Sequence, residues 1–289
     1  MSQLRLQPVV KDIGDFEVRR LLPSEQQRAV GPFVFWDHFG PVTLPVGAHM
    51  DVRPHPHIGL ATLTWLFDGE IMHRDSLGNT QRIRPGEVNW MTAGRGIVHS
   101  ERTPEDRRGK ENPLHGLQIW LGLPDGQEEV EPAFEHYAAG AIPTVRIGDV
   151  AFDLIAGRAL GGESPVATYS PLCYLAAELA PGAAFDWSRH YPEEAIYVVE
   201  GEVAVEGEVI EAHTMAPLGG RDGCRVASGK GARMALLGGE SLGCRHLTWN
   251  FVSSRRARIG EALALWDAGG FDRVPGDDEQ IPLPDHLKP

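Results

Sequence analysis

The chain has 289 residues, 42% hydrophobic and 23% charged, with 34 Gly and 22 Pro punctuating short apolar runs. Such a composition describes a turn-rich, mostly β globular protein and excludes a disordered one. A formal net charge of −13 leaves no general basic surface for phosphates, so direct nucleic-acid binding is not expected. No apolar run reaches the length a bilayer needs, and the start MSQLRLQPVVKDIGDFEV carries no basic region followed by an apolar block; no membrane association is expected, and a cytoplasmic location is. Cys173, Cys224 and Cys244 are scattered and odd in number, which fits a reducing compartment and three buried free thiols rather than a disulfide framework.

In chain order, the sequence predicts short strands at FEVRRLL (16–22), FVFWDHF (33–39), ATLTWLF (61–67), EIMHRD (70–75), TQRIR (80–84), EVNWMT (87–92) and LHGLQIWLGL (114–123), separated by glycine turns. Asp68-Gly69 between TWLF and EIMH suits a two-residue hairpin turn with positive φ. The stretch IYVV-EG-EVAV places Glu200-Gly201 in the same layout, and aligning Gly69 with Gly201 suggests a duplicated β-barrel unit. The charged, then Gly/Ala-rich stretch 128–141 reads as a linker between the halves. Ser253-Ser254 offer a cap for a helix running to Trp266, with Ile259, Ala262, Leu263 and Trp266 on one face and Gly269-Gly270 as its stop. Arg255, Arg256 and Arg258 read as the solvated face of that helix. The acidic, Pro-rich tail PGDDEQIPLPDHLKP is expected to lie extended against the surface or disordered.

The chemistry concentrates in RPHPHIG, Arg53 to Gly59. Pro54 and Pro56 bias the preceding residues toward extended backbone. On a strand, His55 and His57 then share one face, roughly 7 Å apart. TAGRGIVHSE repeats the spacing with His99 and Glu101. Three imidazoles and a carboxylate make a nitrogen/oxygen set suited to iron, copper, nickel, manganese or cobalt; without thiolates it is not a structural zinc set. A lone strand histidine is more often an ordinary surface or hydrogen-bonded residue. His38, His49, His73, His115, His136, His190, His213, His246 and His286 are read that way.

The motifs FVFWDHFGP, RPHPHIGLATLTWLFDGEIMHRDSLG, PGEVNWMTAGRGIVHSE and PLHGLQIWLGLP, with the late RIGEALALWDAGGF, resemble the pirin family, a branch of the cupin superfamily, across essentially the whole chain. The resemblance implies an all-β bicupin: two stacked antiparallel β-barrels with a short C-terminal helix. Residues 1–130 would form a metal-binding barrel, and 141–289 a degenerate barrel with the helix and tail. His55, His57, His99 and Glu101 would ligate one divalent ion, with Fe2+ preferred and Cu, Ni, Mn, Co or Zn able to replace it. By the repeat alignment, His55 and His57 fall near Trp187 to His190, and His99 and Glu101 fall within Cys224 to Ser228, so the second barrel lacks the set. Two functional readings follow from the resemblance. In one, the chain resembles quercetin 2,3-dioxygenase pirins, taking a flavonol and dioxygen, with Glu101 as catalytic base and Val52, Ile71 and Gln118 as pocket-wall candidates. In the other, the metal serves a redox-responsive regulator that binds a regulatory or metabolic protein.

Overall fold

A computed structural model describes residues 4–13, 16–220 and 222–288. The chain is mostly β, and its one described α-helix is Arg256–Asp267. No described helix is long and apolar enough to cross a membrane. The chain forms two compact units, each drawing on distant segments. One takes residues 1–10, 19–37 and 140–241; the other takes 11–18, 38–139 and 242–289. The end segments thus belong to the unit built mainly from the other half of the sequence.

The unit built on 38–139 carries a sheet of Asp51–His57, Ile97–Arg102, Ile71–Asp75 and Thr80–Ile83 in that order. In the same unit Asn112–Gly122, Leu60–Asp68, Val88–Thr92 and Ala133–Tyr137 lie side by side in that order. Phe39, Leu44, Met50, Leu66, Ile71, Ile83 and Leu114 form an apolar cluster in this unit. The other unit repeats the plan. Leu172–Leu179, Ala232–Gly239 and Glu193–Val205 lie side by side, and Gly223–Ala227 pairs with Ala184–Ser188.

The expected hairpins are corners instead. Leu60–Asp68 pairs with Asn112–Gly122 and Val88–Thr92, whereas Ile71–Asp75 pairs with Ile97–Arg102 and Thr80–Ile83. Asp68-Gly69 therefore passes the chain from one sheet to another. Gly69 has φ +89°, and a Cβ there would lie 2.2 Å from the Pro113 carbonyl oxygen. In the other unit Glu193–Val205 is one strand, bulged between Val198 and Glu200. Gly201, at φ +75°, would bring a Cβ to 2.4 Å from the Gly231 oxygen. Positive φ and close backbone approach explain both glycines. The repeat is real, although its turn chemistry serves a bend rather than a hairpin.

Four further expectations change. The 128–141 stretch holds strand Ala133–Tyr137, paired with Val88–Thr92. Glu128 is buried and takes hydrogen bonds from the Ser253 hydroxyl (2.8 Å) and the Ser254 amide (2.6 Å), so those serines anchor a carboxylate while Arg255 is the helix N-cap, without a side-chain cap bond. Arg258 donates to the Arg95 carbonyl at 2.8 Å and lies near Glu129, so it is tied down rather than solvated. Cys173 and Cys224 are buried, but Cys244 is exposed.

The helix ends as expected: the Gly269 amide reaches the Trp266 carbonyl and the Gly270 amide the Leu265 carbonyl, with Gly269 at φ +68°. Its buried face, Ile259, Ala262 and Trp266, packs with Ile58, Val98 and Phe251. The tail lies extended against the same unit: the Ile281 amide donates to the Pro54 carbonyl at 2.8 Å, and Leu283 is buried.

Candidate metal centre

Asp51–His57 and Ile97–Arg102 run antiparallel with His55 directly opposite His99 and His57 opposite Ile97. Extended backbone puts His55 and His57 on one face, and the register sets His99 on that face across from His55. One nitrogen from each of His55, His57 and His99 lies within 4.8 Å of the others; among the described residues these form the one such cluster of three or more potential ligands. All three are buried.

Neighbouring groups fix which nitrogen of each ring is free. His55 Nδ1 lies 2.9 Å from the Arg53 carbonyl oxygen, and His57 Nδ1 lies 3.0 Å from that of Asn250. A carbonyl only accepts, so both Nδ1 atoms carry the proton and both Nε2 atoms present lone pairs. His99 Nδ1 faces His73 Nδ1 at 3.4 Å, while His73 Nε2 lies 3.0 Å from Asp75 Oδ2. The carboxylate makes His73 Nε2 a donor; in the neutral ring His73 Nδ1 is then an acceptor, and His99 Nδ1 the donor to it. That leaves the His99 Nε2 lone pair 3.1 Å from the His57 Nε2 lone pair. Two lone pairs that close repel unless a cation sits with them. Nitrogens that share one ion at ~2.1 Å each and subtend a right angle lie ~3 Å apart. The site therefore fits a transition metal in both chemistry and spacing.

The electrostatics agree. Burial pushes His55 down to about 4, against the pull of the Arg53 carbonyl. His57 and His99 are held well below the ordinary imidazole range, first by burial and then by the neighbouring rings. All three are neutral, ligand-ready bases at neutral pH.

Glu101 shares the strand with His99 but lies outside that tight cluster. Its buried carboxyl is pushed up to about 7 by burial, opposed by the Thr64 hydroxyl. That hydroxyl is 3.4 Å from Glu101 Oε1 but 2.9 Å from Gln118 Oε1. One proton cannot serve both acceptors well, so Glu101 is left short of partners, a cost that a proton or a cation relieves. Of the three pocket-wall candidates, Gln118 reaches the site through Thr64. Ile71 belongs to the apolar cluster and Val52 packs against it.

Sequence reasoning missed His73 and Asp75. Both are buried, and the His73 ring stacks on Phe134 with centroids 4.2 Å apart. Their signal was present: His73-Arg74-Asp75 repeats the i, i+2 strand spacing of the other two pairs. The Asn250 carbonyl acceptor has no side-chain signature to find.

A pirin family model matches residues 15–121, and a pirin C-terminal cupin domain model matches residues 174–272. The chain belongs to the pirin family. A pirin-like protein of Caulobacter vibrioides is 47% identical over 281 residues, covering 95% of this chain and 96% of its own. The crystal structure of a quercetin 2,3-dioxygenase from Acinetobacter baumannii aligns with a TM-score of 0.88 at 35% identity, covering 98% of this chain and 96% of its own. A bacterial pirin from Escherichia coli, solved in complex with nickel(II), shares the fold at a TM-score of 0.68 and 17% identity, covering 83% of this chain and 100% of its own.

Two cupin domains make up this pirin, and their corresponding strand pairs differ in content. In Ala184–Ser188 and Gly223–Ala227, Trp187 pairs with Cys224. The buried positions are Phe185, Trp187, Cys224 and Val226, all part of one apolar core. Glu194 is buried beside them, accepting from Trp187 Nε1 at 3.0 Å and from the His190 and Tyr191 amides. His190 lies beyond the strand and is exposed, its ring edge-on to Trp187.

Proposed function

We propose that this pirin is a metal-dependent dioxygenase that opens a flavonol ring, with His55, His57, His99 and Glu101 holding one divalent ion, Fe2+ by preference. In this reading the ligand residues belong to the 1–130 half of the sequence and 141–289 is its degenerate copy. The observation that carries the metal assignment is the convergence of imidazole lone pairs at 3.1 Å in a buried site. The likeness to a quercetin 2,3-dioxygenase at 35% identity over nearly the whole chain supports the substrate class.

When bound, the ion supplies a Lewis acid that favours ionisation of a flavonol 3-hydroxyl. The three imidazoles stay neutral and fixed by their Nδ1–H bonds, so they hold their places without competing for that proton. Before an ion binds, burial holds the Glu101 carboxyl at about 7; with the ion in place Glu101 serves as base for the 3-hydroxyl proton only where its bond to the ion is loose or it can shift. The Thr64 hydroxyl lies 3.4 Å from the Glu101 carboxyl and 2.9 Å from Gln118 Oε1, so it is the neighbour to which the carboxyl can turn. Trp120, edge-on to His57 with centroids 4.9 Å apart, walls that side of the cluster against water.

The test is oxygen uptake by fully metal-loaded protein. Uptake is expected with a flavonol and not with the analogue lacking the 3-hydroxyl. Glu101→Gln should lower the rate by ~10²–10⁴-fold, with metal content measured in the same sample to separate base loss from ligand loss. Fully iron-loaded protein that consumes no oxygen with any flavonol, yet changes its affinity for a protein partner when the iron is oxidised, would replace the enzyme reading with a redox-responsive regulator.

A further inference from the structure

Behind the cluster lies a second layer. His73 stands on Ile71–Asp75, the strand beside Ile97–Arg102, with His73 opposite Glu101 and Asp75 opposite His99. Asp75 is fully buried, and its two oxygens face only donors. They are His73 Nε2 at 3.0 Å, the Leu77 amide at 2.9 Å, the Asn79 amide at 3.0 Å, and Asn79 Nδ2 at 3.1 and 2.9 Å. A carboxylate so supplied is a stable buried anion. The tight turn Ser76–Asn79 is folded around it, so its position is set before any ligand arrives.

The consequences run inward. The anion commits His73 Nε2 to donating; in the neutral ring that commits His73 Nδ1 to accepting, and so His99 Nδ1 to donating. Each step selects one tautomer, and the last one points the His99 lone pair at His57. Phe134, stacked on the His73 ring at 14°, stops that ring from turning away. His55 and His57 have only neutral backbone carbonyls behind them. Of the three imidazoles, His99 is the one backed by a charge.

We propose that Asp75 and His73 are positioning residues for the metal centre, a carboxylate–imidazole–imidazole relay that fixes the His99 tautomer and strengthens its nitrogen as a donor. The inference rests on the reading of His99 as a metal ligand. An ion that draws electron density from His99 makes its Nδ1–H a stronger donor to His73, and the Asp75 charge stabilises the polarised chain. The stabilisation grows with the charge of the ion. The relay therefore tightens binding and favours the ferric over the ferrous state, lowering the reduction potential of bound iron.

Three variants of the full-length protein test this, with cobalt(II) titration followed by visible absorption and the midpoint potential of the iron-loaded protein as readouts. His73→Phe keeps a ring on Phe134 but offers no acceptor to His99. Asp75→Asn presents an amide that drives His73 to the wrong tautomer. Both should bind cobalt ~10–100-fold more weakly, the usual cost of losing an outer-shell partner, and both should raise the midpoint potential. His73→Gln supplies Oε1 to His99 and Nε2 to Asp75, and should return affinity and potential toward the wild-type values. The His73 pair carries the test if Asp75→Asn does not fold. Wild-type affinity and potential in His73→Phe would overturn the relay while leaving the metal site standing. Equal weakening in His73→Phe and His73→Gln would overturn it too, by showing that restoring the two hydrogen bonds restores nothing. Failure of the wild-type protein itself to take up cobalt or iron would remove the metal reading and the relay together.

Discussion

By the alignment of the two halves, Asp51–His57 with Ile97–Arg102 and Ala184–Ser188 with Gly223–Ala227 are matching strand pairs, and their buried faces have opposite chemistry. The first buries His55, His57, His99 and Glu101; the second buries Phe185, Trp187, Cys224 and Val226. The frame tolerates both because barrel stability comes from apolar packing elsewhere in each unit. The first face has to satisfy every polar atom it buries, and recruits Arg53, Asn250, His73 and Thr64 to do so. The second needs only shape and apolar area, with Glu194 taking up the one indole N–H. A functional face thus depends on partners from across its unit, whereas a structural face depends mainly on volume.

The sharpest way to break that contrast is to remove one large side chain from each face. His57→Ala should abolish metal retained through dialysis, about one ion per chain in the wild type, while the β fold persists by circular dichroism. Unchanged metal content would dissolve the distinction. Trp187→Ala should do the reverse, lowering unfolding stability by ~3–5 kcal/mol, as for other buried aromatics, with metal content intact; loss of metal from a folded Trp187→Ala protein would show that the second face is not purely structural.

A subtler difference is protonic. The three imidazoles are already neutral well below pH 6.5, whereas burial holds Glu101 protonated up to about 7. Both His depression and Glu elevation favour the uncharged form, so a divalent ion entering at pH 6 should release about one proton, from Glu101, and at pH 8.5 almost none. Release of two or more protons at pH 6, read with an indicator dye in weak buffer, would show charged imidazoles in the metal-free site. The smallest effect is expected at His190. It is exposed, and His190→Ala should leave metal content unchanged and shift stability by less than ~0.5 kcal/mol. Metal loss there would overturn the alignment of the two copies.

Period-two spacing made most of this legible in the sequence. Each predicted strand exists, and His55, His57 and His99 meet because alternate side chains on paired strands must share a face. The corners were misread because Asp-Gly supplies positive φ equally well to a hairpin and to a bend between sheets. His73 reads as one more hydrogen-bonded histidine because the groups that place it, His99 across the strand pair and Phe134 stacked on its ring, reach it by tertiary folding. The exchange of end segments between the units was also invisible. Nothing local in 19–37 or 242–289 states which core those residues will join.

The Asn250 carbonyl that settles His57 stands 193 positions downstream of it, and the Ile281 amide closes on Pro54 from further still. A ribosome exposes the histidine strands long before either partner has been made. Until residue 250 has emerged the His57 imidazole is without the carbonyl that holds its Nδ1–H. A site that needs a settled His57 is therefore completed only after residue 250 has been made.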